Sequence, residues 1–210
     1  MGRIGCYPGS FNPPTVAHLA VAEAAVRHAG LARLDLVVSR QALGKEDLEV
    51  PTLADRRAVL EAVAAARPWL GVAVTDARLI AEIAAGYDAV VVGADKWRQV
   101  LDPAWYADDA AARDAAVASL PEVLVAPRGD DDPSRDLDDV DLADPDRLGA
   151  LVRFRVLELD AEHRHVSATA VREGHPHADG WILPEAVELD RRTGAWSDPD
   201  RYRRQLAGGR

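Results

Sequence analysis

Short apolar runs alternate with segments of helical period along this chain, and that alternation limits its fold more than any other feature. Ile4-Gly5-Cys6-Tyr7, closed by Pro8 and Gly9, reads as a buried strand feeding a tight loop. After Pro13-Pro14 the period changes. Leu19, Ala22 and Val26 recur at helical spacing across residues 15–29, and the first turn of a helix tolerates proline. The exchange repeats with strands over 34–38 and 71–74 and helices over 53–66 and 77–84. Strands follow at 89–92 and 123–126, with 152–159 a further candidate, and no internal repeat is visible. Strands separated by helices predict an α/β fold: a doubly wound, Rossmann-like parallel sheet with helices on both faces.

The 210 residues are 48% hydrophobic, enough for one core with an appendage. We expect one domain over residues 1–185 and a helical tail over 186–210, in which Arg191, Arg192, Trp196 and Tyr202 close over the domain or make a subunit contact in a homo-oligomer. A net charge of -10 argues against nucleic acid and anionic membrane as partners, because both need a basic face that displaces counterions. The N-terminus has no signal-peptide pattern, and no run approaches the ~20 apolar residues of a membrane span. The single Cys6 excludes an internal disulfide, so a reducing cytoplasm is the expected setting. Residues 129–146 are dense in aspartate and proline; lacking the turn glycine and terminal glutamate of a calcium loop, they read as a solvated, mobile loop.

The segment Tyr7-Pro8-Gly9-Ser10-Phe11-Asn12-Pro13-Pro14-Thr15-Val16-Ala17-His18 lies where the first strand hands over to a helix. Unpaired N–H groups and the positive end of the helix dipole make such a point a phosphate site. Gly9 permits close backbone approach, Ser10 adds a hydroxyl, and Thr15 and His18 share a helix face one turn apart. Here the chain resembles the nucleotidylyltransferase superfamily, whose signature is Gly-(Ser/Thr)-Phe-Asx-Pro followed by His-x-Gly-His or Thr-x-Gly-His. Thr15 in place of the first histidine, together with Tyr-Pro-Gly-Ser-Phe, is similar to the pantetheine-phosphate adenylyltransferase branch. Ala17 stands where that signature has glycine, adding a methyl group where the nucleotide is expected to approach.

Val166-Ser167-Ala168-Thr169-Ala170-Val171-Arg172 begins a second candidate segment in which, read alone, Ser167 or Thr169 caps a helix. The resemblance implies more, since an Ile-Ser-x-Thr-x-x-Arg segment holds the ATP phosphates in the family, with Arg172 as the forked cation. Gly93-Ala94-Asp95 follows a strand and, read alone, is a turn. It resembles the Gly-x-Asp of nicotinate- and nicotinamide-mononucleotide adenylyltransferases, which implies that Gly93 and Asp95 border the ribose or adenine. Trp97 and Trp105 are candidates to stack on an acceptor ring, with core packing the alternative for each. Lys45 stands where relatives carry a basic residue near the acceptor; an exposed loop lysine is the other reading. Arg56 and Arg57 fit either an acceptor phosphate or a solvated helix face. His163, His165, His175 and His177 form two His-x-His pairs without the supporting ligands of a zinc site, so no protein-bound metal is expected.

Together these segments imply an adenylyltransferase that moves AMP from ATP, with Mg2+, onto a small phosphorylated acceptor. An ionised phosphate attacks and pyrophosphate leaves, so alignment and charge stabilisation suffice and no side-chain nucleophile is needed. The nucleotide would meet Gly9, Ser10, Phe11, His18, Gly93, Asp95, Ser167, Thr169 and Arg172, with His18, Thr15 and Arg172 carrying the chemistry. The most similar branch uses nicotinate or nicotinamide mononucleotide. Pantetheine phosphate is the next acceptor, a cytidylyltransferase ranks third, and a non-catalytic nucleotide-binding protein is the reading from another class.

Overall fold

The computed structural model describes residues 2–40, 50–129, 152–176, 178 and 180–208. Lys45, His177 and residues 130–146 of the acidic stretch lie outside the described residues. The chain begins β1 (Ile4–Pro8), α1 (Val16–Ala29), β2 (Arg33–Ser39), α2 (Leu53–Ala65), β3 (Leu70–Thr75), α3 (Ile80–Ala84) and β4 (Ala89–Gly93). It continues with α4 (Ala94–Leu101), a 3-10 turn (Pro103–Tyr106), α5 (Ala110–Ala118), β5 (Glu122–Ala126) and β6 (Phe154–Val156). The short helices α6 (Ala161–Arg164) and α7 (Ala168–Arg172) precede α8 (Pro184–Thr193) and α9 (Pro199–Gly208).

All described strand pairs are parallel, in the order β3-β2-β1-β4-β5-β6. This is the doubly wound arrangement expected. Parallel neighbours need long crossovers, and α1 and α2 cover one face while α3, α4 and α5 cover the other. The period of two is visible in single strands: Ala89 and Val91 enter the α1/α2 core, whereas Val90 and Val92 enter the opposite one. Both faces of β4 are therefore dry, which is why its sequence is a continuous apolar run rather than an alternation.

Three local readings need correction. The helix expected over 77–84 starts only at Ile80, because Ala77 is tied into the loop: its carbonyl accepts from Ser39 Oγ at 2.7 Å and its N–H donates to Thr75 Oγ1 at 3.1 Å. The strand expected over 152–159 pairs with β5 only at Phe154–Val156. Between β4 and β5, where no helix was read, α4 and α5 supply the crossover that parallel pairing requires. Within the sheet, buried Asp35 accepts from Arg33 Nε at 2.6 Å and from the Tyr87 hydroxyl at 3.1 Å. Gly71 makes room for this group, since a Cβ there would lie 2.0 Å from Asp35 Oδ1. Burial, reinforced by Asp35, pushes the Cys6 thiol up to about 12, so it is an inert core group. No described helix is long and apolar enough to cross a membrane.

The C-terminal residues pack on α2. Ala186, Leu189, Ala195, Trp196 and Tyr202 form one buried cluster with Val59. The Tyr202 hydroxyl accepts from Thr52 N at 2.9 Å and donates to the Asp55 carboxylate at the start of α2.

Glu122 joins three segments at the sheet's amino edge, accepting from Arg3 at 2.7 Å and Arg155 at 2.9 Å. The Arg3 bond, with both charges behind it, holds this carboxyl below the usual carboxylate range against the opposing effect of burial. A carboxyl depressed on folding adds stability above its unfolded value and loses it as pH falls through the folded one. Glu122→Gln is expected to cost about 1–2 kcal/mol at neutral pH. In urea unfolding, the gap to the wild type should shrink as pH drops below the carboxylate range.

Candidate functional site

The loop after β1 is held from several directions. Asn12, 1% exposed, accepts from the Trp196 indole at 2.6 Å through its side chain and from Arg172 through its backbone carbonyl. Arg56, also buried, donates to the Ser10 carbonyl at 3.1 Å; burial lowers its pKa from the ordinary arginine value. Arg56 is not on a solvated face and lines neither cavity: it is a strut under this loop. Its neighbour Arg57 is on the solvated face, paired with Glu61 at 2.8 Å.

Thr15 caps α1, and the cap fixes His18. The Thr15 hydroxyl accepts from the His18 N–H at 3.4 Å and lies 2.7 Å from His18 Nδ1, which also accepts from the Thr15 N–H at 3.0 Å. A ring nitrogen that accepts from a backbone N–H carries no proton, so the hydrogen of the neutral ring sits on Nε2. Phe11 steadies the same ring, with centroids 5.1 Å apart and planes at 61°. Phe11 is 1% exposed and lines neither large cavity, so the expected nucleotide contact is instead the packing wall behind His18. The bare edge of Gly9 is explained the same way: a Cβ would lie 2.8 Å from the Phe11 ring.

Two cavities open at the carboxyl edge of the sheet, on either side of β1, where the strand order reverses. The first, about 220 Å3, lies toward β2 and α4 and is lined by Ser39, Arg78, Ile83, Lys96, Trp105 and Tyr106 among others. The second, about 190 Å3, lies toward β5 and is lined by Thr15, Ala17, Arg128, Ser167, Thr169 and Arg172 among others. Tyr7, Ser10, His18 and Gly93 line both. Burial raises the Tyr7 hydroxyl's pKa, so this phenol between the cavities stays protonated.

The second cavity brings together most of the expected nucleotide set. Ser167 caps α7, accepting from Ala170 N at 3.3 Å. Arg172 donates to the Ala168 carbonyl at 3.2 Å and to Thr169 Oγ1 at 3.3 Å, as well as to Asn12. At the start of α1 the N–H groups of Val16, His18 and Leu19 are taken, Val16 by the Trp181 carbonyl at 2.8 Å. Asp95 lines neither cavity and instead pairs with Arg128 and, at 3.3 Å, Arg98. Trp97 is 3% exposed in the α4 core and lines neither cavity, because it sits on the sheet side of α4; Trp105 does line the first cavity. Arg78, Lys96 and Tyr106 escaped the sequence reading, as did Arg128. Arg128 carried one usable signal, a cation just past the carboxyl end of a parallel strand. Asp160, Glu162 and His163 bring one possible ligand atom each within 4.8 Å of one another, mostly at the exposed rim.

A profile of the family described as cytidylyltransferase-like matches residues 6–174. The chain belongs to this family. The cytidylyltransferase-like segment thus runs from β1 through α7 and contains every described residue lining both cavities, and the enzyme is a nucleotidyltransferase. No curated protein sequence matches it. Among solved structures, nicotinic acid mononucleotide adenylyltransferase of Plasmodium falciparum complexed with NaAD is similar with a TM-score of 0.64 at 13% identity, covering 93% of this chain and 98% of that one. The same protein complexed with APC is similar with a TM-score of 0.62 at 12% identity and the same coverage. At this identity the likeness is one of fold.

Gly93 separates the needs of folding from those of the site in this cytidylyltransferase-like chain. Its φ of -75° suits any residue, and an added Cβ would meet nothing within 4 Å, yet it lines both cavities. Gly93→Val should therefore fold with thermal stability near that of the wild type while nucleotide binding, measured by calorimetry, weakens by about tenfold or more through lost space.

Proposed function

We propose that this chain transfers AMP from magnesium-bound ATP to the phosphate of nicotinate or nicotinamide mononucleotide and releases pyrophosphate. The observation that supports this reading is the wall shared by the two cavities, where Ser10 and His18 line both; in this reading the cavity toward β5 is the nucleotide chamber and the other the acceptor chamber. ATP would occupy the β5 side, with its α-phosphate at the junction. An acceptor phosphate oxygen forms the new P–O bond to the α-phosphorus as the bond to pyrophosphate breaks. That oxygen is already ionised, so no base is required. The His18 Nε2 proton stabilises charge on the α-phosphate, and Ser10 positions the oxygens. Arg172 would exchange carbonyl partners for phosphate oxygens, for which its forked group is suited.

The acceptor chamber suits an anionic molecule with a flat ring. Arg78 and Lys96 supply positive charge, Trp105 and Tyr106 an aromatic wall, and no carboxylate appears among its described lining residues. The nucleotide chamber likewise has no carboxylate among its described lining residues, so a magnesium ion would be held there by the polyphosphate rather than by side chains. The solved relative's complexes with NaAD and APC support the same assignment.

Pyrophosphate release should be followed with ATP or CTP against nicotinate mononucleotide, nicotinamide mononucleotide and phosphopantetheine. Turnover is expected with ATP and a pyridine mononucleotide, and His18→Ala should reduce it about 100-fold, or ~3 kcal/mol. Turnover only with phosphopantetheine or CTP would move the assignment to those branches. ATP binding without turnover on any acceptor would favour a non-catalytic protein.

A further inference from the structure

Arg128 bridges two walls of the nucleotide chamber. It follows β5, lines the chamber, and donates through one amino group to Asp95 on the first turn of α4. Through the other it donates to Ser167 Oγ at 2.9 Å, on the residue that caps α7. Its charge is close enough to act on the buried Tyr7 hydroxyl at the junction of the chambers. One guanidinium thus ties the start of α4 to the Ser-x-Thr segment.

The bonds it makes are of a kind that exchanges. The side chains of Arg128 and Asp95 are 51% and 55% exposed, and an ion pair that open to water contributes little to stability. Asp95 also has Arg98 as a second partner, so it keeps a counter-charge when Arg128 leaves. A polyphosphate in this chamber offers several charges and paired oxygens to a forked donor that now holds a single carboxylate and a hydroxyl. We propose that Arg128 is a polyphosphate-binding residue for which Asp95 competes: polyphosphate binding transfers the guanidinium from the Asp95 carboxylate to the β- and γ-phosphate oxygens, freeing Ser167. The inference rests on the adenylyltransferase reading for the ligand's placement. It makes Asp95 a competitor for the polyphosphate site.

Calorimetric titration without acceptor tests it, using magnesium pyrophosphate, ATP and AMP in turn on the full chain. Pyrophosphate isolates the exchange because it has no ribose or base for Asp95 to touch. Arg128→Gln should weaken pyrophosphate and ATP by about tenfold or more and AMP by less than about twofold, with Arg128→Lys recovering part of the loss. Asp95→Asn should tighten pyrophosphate by about threefold or more when Arg128 is present and have no effect in the Arg128→Gln background. The proposal is overturned if AMP weakens as much as pyrophosphate, or if Asp95→Asn leaves pyrophosphate affinity unchanged or acts equally in both backgrounds. Should Arg128→Gln fail to fold, the Lys variant and Asp95→Asn alone decide it by the same signs. A wild-type chain that binds neither ATP nor pyrophosphate overturns this and the functional reading together. Wild-type binding and turnover with no effect of Arg128→Gln overturns this one alone.

Discussion

Everything at the site depends on β1 being paired in parallel on both sides, with β2 and with β4. Parallel partners forbid a tight return, so the chain leaves β1 over one face and the β4 connection lies over the other. The divergence opens a crevice at the carboxyl end of β1 alone. The loop placed in that crevice borders both cavities, and a residue one turn into α1 can face both, as His18 does. Topology supplies the position, and the Thr15 cap supplies the tautomer.

The rest of the molecule keeps that loop still. The Trp196 indole bonds to Asn12, and Arg56 to the Ser10 carbonyl, so residues from the C-terminal segment and from α2 converge on two positions of the first motif that lie two residues apart. Tyr202 in turn fixes the start of α2 through Thr52 and Asp55. Catalysis by alignment depends on such prior ordering, because loose donors would have to be ordered during the reaction. The apolar tail cluster and the chemistry are therefore parts of one structure, though they lie at opposite ends of the sequence.

How far the sequence could be read follows from what each segment reports locally. Strands β1, β2, β4 and β5 are dense apolar runs with turn residues at their ends, and buried parallel strands have few other ways to be written. Helices α4 and α5 were invisible because α5 is mainly alanine, which marks no face, and α4 begins at a Gly-x-Asp that reads as a turn. Trp97 and Trp105 could not be told apart, since burial depends on which side of α4 meets the sheet. Arg56 looked like any helix-surface arginine. Its role comes from a loop 46 residues away, and only tertiary contact shows it. Ser167, Thr169, Arg172 and His18 were legible as a set because motif order survives where local spacing is ambiguous.

The match to the cytidylyltransferase-like family spans the crevice and His18, and on the proposed reading acceptor choice would lie in the cavity walls built by α4, the 3-10 turn and the loop before α3. On the proposed reading the two cavities, which share His18 in their lining, act as one continuous cleft. Competition calorimetry with nicotinate adenine dinucleotide tests this most directly. One bound dinucleotide should exclude both ATP and nicotinate mononucleotide, while the two substrates do not exclude each other. Dinucleotide binding that displaces only one of them, or neither, would contradict the continuous cleft.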